Sequence, residues 1–405
     1  VNPSRPIPKA NTGSAVKNAI ANTAIRLVQI ERRFDPWFRP LFEKTLRDPI
    51  AHAVTSLINS RRNDDGLKIA EERLLPDEEV YFDSIIASFE KQLHGLWKAG
   101  AYERGGNTKT HGIVRGEFTV HDGLPSSLQH GIFSQPRTFK AWVRFSGPGP
   151  YITPDIDDVG FMSISVKLMG VQGPKLMDDE KFTQDLLGVS VPIFVSPDAT
   201  ANAQLQIESL KNAQVFYFLN FYRPHVLDFI MQGLFLKTQA SLLEEPYFSQ
   251  VPYLLGEGQA MQYSFWPIAK TKTKVPNLPF RPPDDYLRQS LAASLAEKDA
   301  LFDVRIQQQT DSYLMPIENS AVLWPDSSPR ISVATLRIPK QTFLSEAQLN
   351  FSRRLSYNPW HCVPEHRPLG NVNRARRRVY DSLSRLRHHV NGVPLYEPTG
   401  DEVFG

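Results

Sequence analysis

NTKTHGIVRGEFTVHDG, residues 107–123, marks a change of texture in the chain. Upstream of it, apolar residues recur every three or four positions. From His111 onward they alternate with polar ones, the period of a half-buried strand. Five further stretches repeat that alternation: RTFKAWVRFSG (137–147), GFMSISVKLMGV (160–171), QDLLGVSVPIFV (184–195), FDVRIQQQTD (302–311) and ISVATLRIPKQ (331–341). Helical sequence interrupts them only at 202–245 and 283–299, so crossover helices do not separate the strands regularly. A doubly wound sheet is therefore disfavoured, and the pattern predicts an α+β chain on an antiparallel sheet or barrel.

The flanks are helical. After a polar, proline-rich arm of about 15 residues, Ala19, Ile20, Ala24, Leu27, Ile30 and Phe34 trace one helical seam between Val16 and Arg62. PDEEVYFDSIIASFEKQLHGLWKAG (76–100) has acids in its first turn and glycine at its end. NVNRARRRVYDSLSRLRHHVNG (371–392) has the seam Val372, Ala375, Val379, Leu383, Leu386 and Val390, closed by Gly392. The organisation expected is an N-terminal arm and helices over 1–100 and a strand-rich body with a C-terminal helix over 101–405. With no Gly/Ser-rich linker, the two read as one continuous unit.

Composition narrows the partners. The 405 residues carry a net charge of +3, with 41% hydrophobic and 22% charged residues. That is ordinary for a globular protein and gives no bulk affinity for nucleic acid. The RARRR run at 374–378 lies on the polar side of its helix and reads as a solvated or salt-bridged face. The longest apolar region, 215–236, is broken by Arg223, Pro224, His225 and Asp228, whereas a membrane span needs about 20 nearly uninterrupted apolar residues. It reads as buried helix or the wall of an apolar pocket. One cysteine permits no internal disulfide and points to a reducing compartment, the cytoplasm.

Chemistry-bearing residues concentrate in RRLSYNPWHCVPEHRPLG, 353–370. On a helix over 348–357, Arg353 and Tyr357 share a face, and a guanidinium there favours phenolate, a ligand for ferric iron. His361 and His366 are five apart, which suits no single helical face. Cys362 lacks the spacings of a zinc site and reads as a small buried residue.

In order and spacing, these segments resemble the catalase-fold haem proteins over roughly 100–200 and 300–370. The likeness is nearest to the short catalase-related group that includes peroxidase-like members and allene oxide synthases. It implies an antiparallel β-barrel with flanking N- and C-terminal helices, and haem b as cofactor. It implies Tyr357 as the iron ligand, polarised by Arg353. It makes His111 the distal acid–base residue, preceded by Thr110, and Arg144 in VRFS a propionate partner. His361 and Arg367 match the rest of the proximal segment. Asp157, Asp158, Gly160 and Phe161 sit where the family has RDxRGFA, without its arginines, and Phe161 is expected beside the haem. DLLGVSVPIFV (185–195) matches DLVGNNTPIFF, but Val189 and Ser190 replace the distal asparagine. Thr108 stands where catalases carry a propionate-binding arginine, leaving Lys109 or Arg104 for that task. The expectation is a haem peroxidase acting on hydrogen peroxide or organic hydroperoxides with a small organic electron donor. A fatty-acid hydroperoxide isomerase or dehydratase, or a haem-binding protein without turnover, remain alternatives. Assembly into a homo-oligomer is compatible with the resemblance.

Overall fold

The computed structural model describes residues 3–63, 66–269 and 271–404. The first strands form an antiparallel meander: β1 (Thr110–Val120), β2 (Thr138–Ser146), β3 (Ser163–Met169) and β4 (Thr183–Val189). The second half holds β5 (Tyr247–Phe248), β6 (Tyr253–Leu254), β7 (Ala260–Pro267), β8 (Ala300–Gln308) and β9 (Arg330–Ile338). β9 pairs with both β1 and β8, and β8 with β7. The two-residue β5 bridges β4 to β7, closing eight antiparallel strands into a barrel, while β6 hangs on the edge of β7.

Alternation decides what fills the barrel. Val114 and Phe118 of β1, Val143 and Phe145 of β2, Ile164, Val166 and Leu168 of β3, and Phe302, Val304 and Ile306 of β8 all join one buried cluster. The inward positions of β1 include Gly116, where a Cβ would come within 3.0 Å of the Val143 side chain and 3.3 Å of the Arg337 carbonyl oxygen. Only glycine lets the strands approach this closely there. The outward residues of β1–β4 therefore form one continuous external face. Residues opposite one another give the row Ile113–Arg144–Ser165–Leu187 and, beside it, Arg115–Trp142–Lys167–Asp185.

Helices flank the barrel. α1 (Ala15–Phe42) runs through a π-helical turn at Glu43–Arg47 into α2 (Asp48–Asn59). α3 (Glu78–Leu96) follows, and α4 (Ala199–Ser209), α5 (Val215–Phe218) and α6 (Val226–Phe235) fill the insertion after β4. α7 (Tyr286–Glu297) places Leu287, Leu291 and Leu295 in the barrel's cluster. α8 (Glu346–Arg354) and α9 (Asn371–Asn391) complete the chain, and Gly392, at φ +64°, ends α9 in the left-handed conformation. α3, α4 and α9 pack through Phe82, Ile85, Ala199, Ala203, Ala375 and Val379.

Two sequence expectations need correction, and the α1 seam, whose surroundings the sequence leaves open, needs placing. The seam of α1 does not face the core: Ile20, Leu27, Ile30 and Phe34 are exposed, while Arg32, Asp35 and Arg39 are buried. The helix is positioned by charge instead. Arg32 meets Asp158 at 3.1 Å and the carbonyls of Asp155 and Lys237; Asp35 accepts from the Thr238 N–H and pairs with Arg39 at 2.5 Å. The 215–236 region is not one buried helix. It breaks between α5 and α6 at Pro224, and Phe221 and Tyr222 are almost fully exposed. Finally, α8 stops at Arg354 and Leu355 is extended (ψ 139°), so Arg353 and Tyr357 do not share a helical face. The RARRR run is salt-bridged in part: Arg374 reaches Glu72, Glu78 and Glu318, and Arg378 reaches Glu79 and Asp83.

Candidate functional site

Tyr357 lies against the external face of β1–β4. It packs with Ile113, Trp142, Leu187, Phe351 and Leu355. Its phenol oxygen is buried and has no hydrogen-bond partner among the described residues. Two cations flank the ring, the Lys167 Nζ at 5.3 Å and the Arg104 guanidinium at 5.9 Å from the centroid. Burial pushes the phenol's pKa up, while Lys167, Arg104 and Arg144 pull against that rise.

His111 is the second residue of β1, two before Ile113. It is fully buried, and among the described residues neither ring nitrogen has a hydrogen-bond partner. Its Nδ1 stands 3.9 Å from Asp155, whose carboxylate is engaged by Lys109 at 2.5 Å. Its Nε2 lies against Gly147, where a Cβ would come within 3.1 Å. Burial, then Lys109, Arg288 and Arg144, depress its pKa well below the ordinary histidine value, so the imidazole is neutral.

Arg144 connects the two regions. It donates to the Thr110 hydroxyl from Nε (3.0 Å) and Nη2 (2.8 Å), to the Ser146 hydroxyl at 2.9 Å and to the Asn107 carbonyl at 2.7 Å. Thr110 is thus an anchor for Arg144. Near Arg144 are Arg387, also buried, and the half-buried Arg104. Burial pushes all three pKa values down, with Arg104 adding to the fall at Arg144, Arg104 and Arg144 to that at Arg387, and Arg353 to that at Arg104. Arg104 donates to the carbonyls of Ser352 and Leu355, but its Nη1 is buried without a partner among the described residues. Arg387 donates to the carbonyls of Arg353 and Leu355. Arg353 bonds Glu103 at 2.7 Å. A cavity of about 260 Å³ opens at this rim, lined by Glu103, Thr108, Thr110, Arg288, Ser352 and Arg353.

The remaining expected site residues are held elsewhere. His361 sits in a buried charge cluster: Nδ1 is 2.9 Å from Asp185 and 3.3 Å from Glu180, and Nε2 is 3.1 Å from Asp179. Lys167 pairs with Glu180 and, at 2.7 Å, with Asp185, placing an ammonium among the carboxylates. Arg367 pairs with Glu72 at 2.6 Å. The Ser190 hydroxyl accepts from the Met162 N–H (2.9 Å) and the Gln239 amide (2.6 Å). Phe161 packs against the apolar cluster of α2 and α6. Lys109 is taken up by Asp155 and the carbonyls of Thr153 and Asp284. Arg32 and Arg33, from α1, supply the cations that pair with Asp158 and Asp157. Lys167, Arg387 and Asp155 carried no local sequence signal, because each is held by groups distant in the chain.

No protein-family model matches this chain, and no curated protein does. Solved structures do. A fungal catalase superposes with TM-score 0.57 at 16% identity, over 85% of this chain and 70% of that one. A bacterial catalase gives 0.54 at 14%, over 84% and 67%. Catalase A from Saccharomyces cerevisiae gives 0.58 at 17%, over 85% and 72%. The chain has the catalase fold: a closed eight-strand antiparallel barrel flanked by helices.

Proposed function

We propose that the protein is a haem-dependent peroxidase of the catalase fold, with Tyr357 as iron ligand and His111 as the acid–base residue. The observation that carries this reading is two buried residues whose polar atoms have no hydrogen-bond partner among the described residues: the Tyr357 phenol oxygen and the two nitrogens of His111. Buried polar atoms are normally satisfied, and an orphan needs an explanation.

The donor set fits a haem. Tyrosinate is a known axial ligand of haem iron. Arg144 and Arg387 are buried cations with the half-buried Arg104 beside them, and the Nη1 of Arg104, without a partner among the described residues, is a donor suited to a carboxylate. The cavity beside them, about 260 Å³, is smaller than a typical small-molecule pocket of about 300–1,000 Å³. Haem binding on this reading therefore goes with repacking of side chains at that rim. When bound, haem supplies a ferric iron for cleavage of a peroxide O–O bond.

The chain's own groups would then act as follows. Tyr357 binds as phenolate, its charge balanced by Lys167 and Arg104 rather than by Arg353, which is committed to Glu103. Neutral His111 accepts the peroxide proton and returns it to the departing oxygen, general base and then general acid. Arg104, Arg144 and Arg387 neutralise the carboxylates of the cofactor. Val189 offers no hydrogen bond, and the Ser190 hydroxyl is already occupied by Met162 and Gln239. Neither Val189 nor Ser190 therefore supplies the amide that a catalase uses to orient a second hydrogen peroxide, which supports donor oxidation over oxygen evolution.

The test is a hemin titration followed by absorption spectroscopy of the wild type and Tyr357→Phe. Stoichiometric binding with a tyrosinate-type ferric spectrum, lost in the variant, is expected. A wild-type spectrum in Tyr357→Phe would overturn the assignment. Product analysis with a fatty-acid hydroperoxide then separates peroxidase (alcohol plus oxidised donor) from isomerase or dehydratase (epoxide or cleavage product).

A further inference from the structure

α1 is an amphipathic helix turned inside out. Its buried side is polar, with Arg32, Asp35 and Arg39 held by ion pairs and carbonyls. Its solvent side is apolar: Leu27 is 61% exposed, Phe34 52%, Trp37 59% and Leu41 68%. At about 3.6 residues per turn, these four with Ile20 and Ile30 fall in one arc of about 100°, along a helix about 42 Å long. A fold that needed α1 only as packing would bury this stripe.

The apolar surface has neighbours of the same kind. α1 packs beside α5 and α6: Lys17 stands 5.8 Å over the Phe216 ring, and Arg39 donates to the Leu234 and Leu236 carbonyls. The connection between α5 and α6 carries Phe221 at 96% and Tyr222 at 93% exposure. By helical spacing, Arg26 and Lys44 edge the apolar arc, and Lys17 and Arg223 lie close by in sequence. Among the described residues none of these four has an ion-pair partner. The acids nearby are all engaged: Glu31 with Arg39, Glu43 with Lys237 and Arg47, Asp48 with Arg47, Asp157 with Arg33, Asp228 with His225.

We infer that α1, with the α5–α6 connection, docks on the surface of an anionic phospholipid bilayer, its aromatic and leucine side chains entering the headgroup–acyl boundary. This is the composition of a helix lying in the membrane interface: Trp, Phe and Leu on one face, with Lys and Arg beside it. No helix among the described residues is long and apolar enough to cross a membrane, so the contact is peripheral. A second copy of the chain is the poorer occupant, because its matching patch would set unpaired cations against unpaired cations. The inference does not depend on the haem reading.

Co-sedimentation of the full chain tests it, using vesicles of phosphatidylcholine alone and of phosphatidylcholine with phosphatidylserine. Binding to the serine-containing vesicles is expected, weakening as salt rises. Phe34→Glu with Trp37→Glu should lower that binding about tenfold or more, without changing the thermal midpoint, since both side chains are solvent-exposed. Arg26→Glu with Lys44→Glu should reduce binding to the anionic vesicles. Three results overturn the proposal: no sedimentation with anionic vesicles, equal binding to both compositions, or equal binding by the Phe34/Trp37 variant. A dimer in sedimentation that this variant splits, without vesicle binding, assigns the face to a second copy instead.

Discussion

The ammonium of Lys167 stands 5.3 Å from the centre of the Tyr357 ring, in the role that sequence spacing offers to Arg353. Lys167 and Tyr357 are 190 residues apart and meet because β3 turns every second side chain to the barrel's exterior, where the segment after α8 crosses it. Lys167 is also the cation shared by Glu180 and Asp185. Replacing it with methionine leaves two buried carboxylates short of a partner, so Lys167→Met should cost about 3–5 kcal/mol in urea unfolding. A loss under about 1 kcal/mol would show that water or rearrangement replaces the ammonium.

Arg353 and Arg104 should separate cleanly. Arg353 is partly exposed and bound to Glu103, so Arg353→Leu should leave the absorption spectrum of hemin-loaded protein unchanged. Arg104 lies over the Tyr357 ring, so Arg104→Leu should raise the reduction potential of the bound iron by weakening the phenolate. The opposite pattern in spectroelectrochemistry would restore the role to Arg353.

His111→Ala should keep haem and slow the reaction with peroxide by about 10²-fold or more. Because the imidazole is held neutral by burial and three cations, the wild-type rate should show no histidine titration between pH 6 and 8. Stopped-flow mixing across that range checks both statements.

His361 makes stability pH-dependent on the alkaline side. Burial opposes its charge, but Glu180, Asp179 and Asp185 outweigh this and raise its pKa from 6.5 to about 9. A raised pKa means the folded state holds a proton that the unfolded state releases first. The stabilisation is complete below pH 6.5 and lost as pH climbs through about 9, amounting to about 3 kcal/mol at most. Denaturant titrations at a series of pH values should show this slope in the wild type and lose it in His361→Gln.

Oxygen evolution from hydrogen peroxide should be weak beside oxidation of a phenolic donor, because Val189 and the committed Ser190 present no distal amide. An oxygen electrode and a donor assay on one hemin-loaded preparation decide it. Catalase-like oxygen release with negligible donor oxidation would return the protein to peroxide dismutation.

The barrel was legible in the sequence because its strands alternate over seven to eleven residues, long enough for period two to stand out. α9 was legible for the same reason at period 3.6. β5 and β6 were not, since two residues have no period. The α1 seam was legible as a seam but its surroundings were not, because periodicity reports that a face is apolar and not what covers it. Around Tyr357 and His111, the cations Lys167 and Arg387 have no sequence signature. Their partners lie on other strands and helices, and a lone basic residue in a strand or helix looks the same whether it faces solvent or a buried phenol.

The ring of strands closes through Tyr247 and Phe248 alone, the two residues of β5 that join β4 to β7. Tyr357 and His111 both rest on β1–β4, one uninterrupted run of chain from 110 to 189. The closure and the candidate site are therefore mechanically separable: the seam can breathe, or the 190–246 insertion change length, while the hydrogen-bonded meander under the site keeps its register. Variation in that insertion should be tolerated far more readily than a one-residue slip in β2 or β3, which would turn Arg144 or Lys167 into the barrel and Val143 or Val166 out of it.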